Sequence, residues 1–501
     1  MAKSNKYWDN RAIRRLTDAE KQSDAYIKRI QKMYDRANRN VQRDIEAVYA
    51  RYSKKTGMDV QSLKELLTAS ESDKLWAEMK RKGLDKYVKG NYKARITRLE
   101  QIQAQIYAKA KEIYPEEQLQ HTKCYEDVIN NSYYKAIYDT QMGTGLDFGF
   151  SKIDDNMVSA LLNENWSGKN YSQRIWGNTD ILAESLSEII GGAMMSGQSI
   201  EKTAKQIRDR FGVAKHYAER LVRTETNHFN NEADAMAYDE MGFEQYVFMA
   251  TLDTRTSTIC QGLDNKVIPL KDRQVGVNFP PMHPNCRSKT RAYLGEEIEA
   301  TLQRRARNPI TGKNEVIGNM SYEEWYNSKV KEHGKADVNK AFKKAQNKAS
   351  DAAQYAKYAE RLKGSPYLPK NLESFVESKY NKDDAYKRLA REYRTIGRID
   401  KRSATPERDK QTYYKFRKDD VEITDHGIYD YHSRMHKKDG TQEYDYDKIV
   451  DIAKREPNHR DGRNGRSVWV YDGICIVKEV ATNEIVSIRK GRVSKWWTKI
   501  L

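Results

Sequence analysis

A narrow apolar stripe near the start of the chain limits the folds that this sequence can adopt. Over residues 27–52, apolar side chains recur at spacings of three, four and seven among charged ones. This period is typical of an amphipathic helix with one buried face. Because so narrow a stripe cannot enclose a large core, we expect the helix to pack against a neighbouring helix or another protein. The stripe consists of Ile27, Ile30, Met33, Tyr34, Val41, Ile45, Val48 and Tyr52.

A second stripe follows, and the composition agrees with long exposed helices. Apolar residues recur from Ile96 through Ile106 to Ile113, and we expect Pro115 to end that helix. Hydrophobic residues make up 38% of the 501-residue chain, and the mean hydropathy is -0.94. These values fit extended helices with modest cores better than one large globule.

The charge balance favours acidic partners. The chain carries 90 Lys and Arg residues against 72 Asp and Glu residues, a formal net charge of +18. This excess favours contact with nucleic acid first and with an acidic protein surface second. The alternative is that the charged helix faces only meet water. Tyrosines number 33 and phenylalanines 10, which suits half-buried faces and subunit contacts, because tyrosine has one apolar and one polar end.

Cysteine usage and hydropathy indicate the cellular compartment in which we expect the chain. The chain has four cysteines, too few for a secreted scaffold held by disulfides, so we expect a reducing compartment. The N-terminal stretch contains no apolar segment, so no signal peptide is expected. The most apolar short run, 186–197, is too short to span a bilayer. We therefore expect synthesis in a cytoplasm and no membrane partner.

The middle of the chain changes from helical patterns to short strands. We expect a helix over 199–211, ended near Gly212, and a second helix over 214–241. The segment 245–260 contains β-branched and aromatic residues followed by a turn, which predicts a strand leading into a loop. The next segment, 262–270, predicts a turn and a short strand.

Three soft metal ligands lie in this part of the chain, and their role is open from the residues alone. Cys260, His283 and Cys286 include a His-x2-Cys knuckle, but tetrahedral zinc is usually bound by four ligands in a structural site. Ser288 stands where another cysteine would complete the set, and Glu225 and His228 on the preceding helix are possible substitutes. A disulfide between the two cysteines is disfavoured in a reducing compartment. The residues favour a rigid turn without metal over a zinc site.

The alternative to a ligand site is a buried hairpin corner. In this corner Asp253 and Arg255 would pair, and His283 would cap a loop. A helix-borne Arg–Glu pair beside it is more often structural than catalytic. The preceding helix turn carries four polar residues that could join one network with the corner: Arg223, Thr224, Glu225 and Asn227.

Four short motifs in this region resemble a known family in their order and spacing. They are RTE at 223–225, DTRTSTIC at 253–260, GLDNKVIPL at 262–270 and PPMHPNCRS at 280–288. Together they resemble the Mu F-like minor head proteins of tailed phages, and the resemblance covers roughly residues 1–380. Many members carry a second cysteine at the position of Ser288, which weakens a zinc site by analogy. The residues of this core motif are Arg223, Glu225, Asp253, Arg255, Cys260, His283, Cys286 and Arg287.

The resemblance implies a structural role in a phage head. Such proteins are minor head components at the portal vertex, enter the procapsid during assembly and help to deliver DNA. The expected partners are the portal protein, the capsid or scaffold, and phage DNA, contacted through Lys and Arg without sequence preference. The expected location is the head interior, after synthesis in the host cytoplasm. No cofactor is expected, with zinc at Cys260, His283 and Cys286 as the less favoured alternative.

The chain divides into four predicted segments. A helical N-terminal region covers 1–140, a Mu F-like core 141–295, a helical linker region 296–385 and an α+β domain 386–501. The predicted fold class is therefore mainly α with an α+β central core, followed by a small C-terminal α+β domain with an antiparallel sheet. In that last domain we expect short helices within 423–440 and 447–457, and strands within 467–480 and 484–491.

The C-terminal domain carries residues suited to phosphodiester chemistry. It holds four of the nine histidines and a basic loop, 458–466, just before a predicted strand. Metal-independent RNA cleavage needs a base for the 2′-hydroxyl, an acid for the leaving oxygen and cations for the phosphate. Imidazole titrates near neutrality, and arginine suits phosphate. The four histidines are His426, His432, His436 and His459.

The last hundred residues resemble the small toxin-type RNases of the barnase–EndoU–colicin–RelE group, which occur as C-terminal extensions of Mu F-like proteins. The resemblance implies catalytic roles for His426, Arg434, Arg466 and Ser487, with His432 as a further candidate. Host RNA would then be a substrate. The alternative is a structural virion protein whose C-terminal domain binds nucleic acid without cutting it. The residues expected to contact nucleic acid are His459, Arg460 and Arg463.

Overall fold

The computed structural model describes residues 5–54, 57–87, 96–435, 444–491 and 493–500, with side chains in the first helix described from residue 18. The chain forms two compact units, Met1–Val338 and Asn339–Leu501. Each is mainly helical with small antiparallel sheets, so the predicted fold class is confirmed. The finer division into four segments stays a prediction. Among the described residues, no helix combines the length and the apolar composition that crossing a membrane requires.

The first unit is built on long helices. They are α1 Asn5–Tyr52, α2 Val60–Lys64, α3 Ala69–Arg81, α4 Arg98–Lys111, α5 Ile113–Thr144, α6 Asp155–Asn163, α7 Tyr171–Ser196, α8 Ile200–Glu240, α9 Thr258–Leu263, α10 Glu296–Glu299, α11 Tyr322–His333 and α12 Lys335–Gln346, which runs into the second unit. The strands are β1 Ser53–Lys54, β2 Gly57–Met58, β3 Gln245–Met249, β4 Val267–Pro269, β5 Lys289–Ala292, β6 Gln303–Arg307 and β7 Asn314–Gly318. Short 3-10 turns cover Asp85–Tyr87 and Leu270–Asp272.

The first apolar stripe forms the buried face of α1. Its residues from Ile27 to Ile45 are buried, while Val48 and Tyr52 are partly buried against the same core. The helix packs against α5 and α8, which confirms the expectation of a helical neighbour. Tyr34 is fully buried there and donates a hydrogen bond to Glu117 on α5 at 2.7 Å.

Two helix ends differ from the expected ones. One continuous helix, α8, replaces the two helices expected around Gly212, because Phe211, Ala214 and Ala218 continue a buried face past the glycine. A glycine inside a helix costs only about 1 kcal/mol relative to alanine, which such packing outweighs. The helix α4, which carries most of the second stripe, ends at Lys111. Pro115 does not end that helix but lies in the first turn of α5, where it removes no intrahelical hydrogen bond.

A small sheet packs on the second half of α8. In it β3 is the central strand, antiparallel to both β4 and β5, so the strands expected within 245–260 and 262–270 are confirmed. Asn227 on α8 donates to the Ser288 carbonyl at 2.8 Å, and Asn231 accepts from the Thr290 amide at 2.9 Å. These bonds attach to the helix the segment that follows His283 and Cys286.

An antiparallel hairpin of β6 and β7 interrupts the region 296–385, which was expected to be helical. Its inward-facing residue Arg304 is buried and donates to both carboxylate oxygens of Asp264, at 2.8 and 2.9 Å. It also donates to the Ala250 carbonyl at 2.8 Å. This buried ion pair joins the hairpin to the end of α9, a long-range contact that the local sequence pattern does not reveal.

The second unit combines helices with one five-stranded antiparallel sheet. The helices after α12 are α13 Lys348–Arg361, α14 Leu372–Asn381, α15 Asp384–Arg402, α16 Pro406–Lys418, α17 Asp425–Arg434 and α18 Tyr446–Lys454. The strands are β8 His459–Asp461, β9 Ser467–Tyr471, β10 Ile474–Lys478, β11 Ile485–Lys490 and β12 Trp497–Lys499. Their order in the sheet is β11-β10-β9-β8-β12. The short helices and the strands predicted for this part of the chain are therefore confirmed.

Candidate functional site

The first turn of α17 lies directly against the edge strand β11. The N-cap residue Thr424 accepts a hydrogen bond from the Gly427 amide at 3.1 Å through its hydroxyl, which also donates to the Ile485 carbonyl at 3.1 Å. The Thr424 amide donates to the same carbonyl at 3.0 Å. A Cβ atom on Gly427 would lie 2.7 Å from this carbonyl oxygen. Glycine is therefore required for so close an approach of helix and strand.

A buried carboxylate is the centre of the cluster that this packing creates. Asp430 is completely buried, and its Oδ2 accepts from the Ser487 hydroxyl at 2.6 Å and from the Ile488 amide at 3.2 Å. His426 and Arg434 lie four residues before and after it, on the same helix face. The His426 Nε2 is 3.7 Å from Asp430 Oδ2, and the Arg434 Nε is 3.4 Å from Asp430 Oδ1.

A second guanidinium reaches the cluster from the strand. Arg489 donates through its Nε to the Ser487 hydroxyl at 3.3 Å, so this hydroxyl accepts from Arg489 and donates to Asp430. His426 is 62% exposed and Arg434 43% exposed, whereas Asp430 is inaccessible. An accessible imidazole backed by a carboxylate and flanked by cations can move a proton beside a bound phosphate.

The structure brings three of the sequence-predicted residues together. His426, Arg434 and Ser487 all contact Asp430, which sequence reasoning missed, as it missed Arg489. Two periodicities could have found them. Asp430 is midway between His426 and Arg434 at helical spacing, and Arg489 lies two residues beyond Ser487, on the same side of the strand.

The other predicted residues of this unit make different contacts. Arg466 immediately precedes β9, two strands away from β11 and so about 9 to 10 Å across the sheet; its guanidinium pairs with Glu479 at 2.9 Å. The His432 Nε2 lies 2.9 Å from the Thr412 hydroxyl on α16 and 3.6 Å from an Asp409 oxygen. These two residues therefore have partners outside the Asp430 cluster.

The basic loop residues lie on and beside β8, three strands from β11 in the sheet order. His459 and Arg460 are on β8, next to the edge strand β12, with His459 Nδ1 2.9 Å from the Asn458 side chain. Arg463 follows in the turn and pairs with Asp461 at 3.5 Å. His436 lies outside the described residues.

The polar residues of α8 do not form the single network expected from the sequence. Arg223 pairs with Asp24 at 3.1 Å on α1, while Glu225 is buried and pairs with Arg174 at 3.1 Å on α7. Burial raises the pKa of Glu225. Arg223 and Glu225 thus belong to different networks, because neighbouring positions on a helix point in directions about 100° apart. Thr224 makes a further separate contact, accepting from the Asn285 amide at 3.0 Å.

The partner of Asp253 is also different from the expected one. Arg287 donates to both of its carboxylate oxygens, at 2.6 and 2.9 Å, and Arg255 contributes only its backbone amide, at 2.9 Å. The expected side-chain pair with Arg255 is therefore wrong. Burial acts to raise the pKa of Asp253, but the hydrogen bonds and charge of Arg287 outweigh burial and lower it.

The two cysteines and the histidine of the central motif converge. The Cys260 Sγ lies 3.6 Å from His283 Nε2 and 3.9 Å from Cys286 Sγ. Both sulfurs are buried and the histidine is partly exposed. A hydrogen bond from the Cys260 thiol lowers the pKa of Cys286. These three side chains are thus a compact group, with His283 facing a sulfur as well as its own loop.

Comparison with known families gives a match over the segment that contains Cys260, His283 and Cys286, the Cys–His group. Residues 184–291 match the family described as Phage Mu protein F like protein. The match supports the phage head morphogenesis family. It covers the second half of α7, all of α8 and the β3–β5 sheet as far as Arg291, and so contains the whole Cys–His group.

One curated relative and the solved structures complete the comparison. The chain is 23% identical over 217 residues to the NAD(+)–arginine ADP-ribosyltransferase EFV of Enterococcus faecalis, which covers 40% of this chain and 43% of that protein. The chain therefore spans less than half the length of that relative. No solved structure matches the chain.

Proposed function

We propose that this protein is a minor head component of a tailed phage whose second unit cleaves RNA without a metal ion. The match over residues 184–291 supports the head role. The observation that carries the catalytic part is the cluster around Asp430, in which an exposed histidine, a buried carboxylate and two arginines meet. The net charge of +18 favours proximity to nucleic acid throughout assembly.

In the proposed reaction, the 2′-oxygen of RNA attacks the adjacent phosphorus, the bond to the 5′-oxygen breaks and a 2′,3′-cyclic phosphate forms. His426 takes the proton from the 2′-hydroxyl, and water supplies a proton to the departing 5′-oxygen. Arg434 and Arg489 stabilise the charge that develops on the phosphate oxygens. The buried Asp430 orients His426 and Arg434 by its contacts at 3.7 and 3.4 Å.

Ser487 acts in this scheme as a positioning residue. Its hydroxyl donates to Asp430 at 2.6 Å and accepts from Arg489 at 3.3 Å, so it links the helix half of the cluster to the strand half. In this role Ser487 does not itself contact the phosphate. His432 has no part in the scheme, because its described contacts lie on α16.

The proposal is tested by cleavage assays with the full-length protein. Wild type is incubated with RNA and with DNA, each with and without EDTA, beside a His426→Asn variant. The matched control is Ser433→Ala, an exposed residue on the same helix whose hydroxyl donates only to the Tyr429 carbonyl. We expect EDTA-resistant RNA cleavage that falls by about 10²-fold or more in His426→Asn, since general acid–base groups contribute about that much.

Other outcomes separate the alternatives. Cleavage at the wild-type rate by His426→Asn would remove the proposed site. Binding of RNA and DNA without cleavage by the folded wild type would favour the structural protein that holds nucleic acid, for which the basic residues Arg460 and Arg463 on and beside β8 are the candidates.

A further inference from the structure

Two of the three ligand-to-ligand distances in the Cys–His group of the first unit match those of a tetrahedral zinc site. The ligand atoms of Cys260, His283 and Cys286 all lie within 4.8 Å of one another. The two sulfurs are 3.9 Å apart, and the Cys260 sulfur is 3.6 Å from the His283 Nε2. Zinc bonds of about 2.3 Å to sulfur and about 2.05 Å to nitrogen, at tetrahedral angles, place two sulfurs about 3.8 Å apart and a sulfur and a nitrogen about 3.6 Å apart. Both observed distances equal these tetrahedron edges to within about 0.1 Å.

The histidine is held in the form that binds metal. His283 Nδ1 lies 2.9 Å from the Pro284 carbonyl oxygen, which can only accept a hydrogen bond. The proton of the neutral ring is therefore on Nδ1, and the lone pair is on Nε2, the atom that faces Cys260. A backbone carbonyl bound to the far ring nitrogen is the usual support of a zinc-bound histidine, because it fixes both the tautomer and the ring orientation.

The backbone holds the two cysteines independently of each other. Cys260 is in the first turn of α9, where its amide donates to the N-cap hydroxyl of Ser257 at 3.3 Å. The Cys286 amide donates to the His283 carbonyl at 3.1 Å, which closes a tight turn between the two ligands of the knuckle. The sulfurs lie in a small apolar cluster with Phe248 and other side chains, and such a shell limits solvent access and fixes ligand positions.

We propose that Cys260, His283 and Cys286 bind one zinc ion, with water as the fourth ligand. Three protein ligands and a water are a known zinc coordination, so the lack of a fourth residue at Ser288 does not exclude metal. Cys286 lines a cavity of about 480 Å³, which gives water a route to the fourth position. Two thiolates balance the charge of Zn²⁺, and the adjacent Asp253–Arg287 pair is neutral by itself.

The bound ion would join α9 to the turn before β5. The two cysteines are 26 residues apart in sequence, and the apolar cluster around them contains few residues. A metal here cross-links a segment with little core of its own, and such a link persists under reducing conditions, where a disulfide does not. The site is independent of the Asp430 cluster, so neither proposal rests on the other.

Metal content of the full-length protein tests this proposal. The protein is purified without chelators, and its zinc content is measured by elemental mass spectrometry. We expect about one zinc per chain in wild type, and less than about 0.2 per chain in Cys260→Ser, His283→Asn and Cys286→Ser, because each variant leaves only two of the three protein ligands. The matched control is Cys124→Ala, which removes another buried free cysteine, on α5, and should keep its zinc.

A second measurement avoids reliance on variants that fail to fold. Wild type is stripped of metal and titrated with Co²⁺, and we expect the absorption bands of tetrahedral cobalt with thiolate ligands, which added zinc abolishes. Zinc below about 0.2 per chain together with no cobalt bands, in protein shown to be folded by circular dichroism, would overturn the proposal. So would a Cys260–Cys286 disulfide found by mass spectrometry of the unreduced protein.

Discussion

Replacing Gly427 with alanine tests how the Asp430 cluster is assembled. The added Cβ would lie 2.7 Å from the Ile485 carbonyl oxygen and 2.8 Å from a side-chain carbon of Ile423. The nearest obstacle is backbone of β11, which cannot rotate away like a side chain, so α17 must move off the strand. Overpacking of this kind costs about 1 to 3 kcal/mol, and the better helix propensity of alanine returns up to about 1 kcal/mol.

We therefore expect Gly427→Ala to lower the stability of the second unit by about 1 to 2 kcal/mol. The shift of α17 should also lengthen the contact between Ser487 and Asp430, which is 2.6 Å in the native structure. RNA cleavage should fall by more than the unfolded fraction accounts for. The assay is urea denaturation followed by circular dichroism and tryptophan fluorescence, beside cleavage rates under native conditions.

The matched control for this substitution is Gly212→Ala. Gly212 is also helical, but a Cβ there meets nothing within 4 Å. Alanine should leave stability unchanged or raise it by up to about 1 kcal/mol. If Gly427→Ala is as stable and as active as wild type while the control behaves as expected, the close packing of α17 on β11 is not what positions the cluster.

Three further changes have outcomes fixed by the contacts described above. Asp430→Asn keeps the shape of the side chain but removes the charge that holds His426 and Arg434. The kcat for RNA cleavage should therefore fall by about 10²-fold, with a smaller change in KM. An equal loss of kcat in the Ser433→Ala control would refute this. Arg304→Met leaves the buried Asp264 carboxylate without its partner. Denaturant unfolding should show the first unit destabilised by about 3 to 5 kcal/mol. A decrease in the free energy of unfolding below about 1 kcal/mol would mean that the pair is not desolvated. The third concerns pH. Because the folded pKa of Asp253 is lowered, its stabilisation is present above the ordinary aspartate pKa and is lost as pH falls below about 4. Arg287→Gln should thus be less stable than wild type at neutral pH, with a difference in Tm that shrinks as the solution becomes more acidic; a constant difference would contradict the pairing.

The sequence predicted those parts of the fold that depend on local periodicity. The α1 stripe was recognisable because each buried residue follows another by three, four or seven positions. The break expected at Gly212 was wrong because the cost of one glycine is small beside the packing of Phe211 and Ala214 on either side. A single glycine is therefore a weak signal for a helix end where a buried helix face continues through it.

The candidate site was only partly predictable, because its central residue is defined by a distant contact. The helical spacing places Asp430 on the same face as His426 and Arg434, but its burial becomes evident only when β11, 57 residues further on, is placed against it. The same holds for Asp253, whose partner Arg287 is 34 residues away while Arg255 is the neighbour in sequence. His426, Arg434 and Ser487 were found because the resemblance supplied their pattern; the carboxylate that joins them was not part of it.

The most direct test of the central claim is the chemical nature of the ends produced from RNA by the wild-type protein in EDTA. A short RNA of defined sequence is incubated with the full-length protein, and the product masses are determined. Attack by the 2′-oxygen predicts a 2′,3′-cyclic phosphate on one product and a free 5′-hydroxyl on the other, and no cleavage where the 2′-hydroxyl is methylated. Intact RNA after incubation with folded protein, or products that carry a 5′-phosphate, would contradict the account.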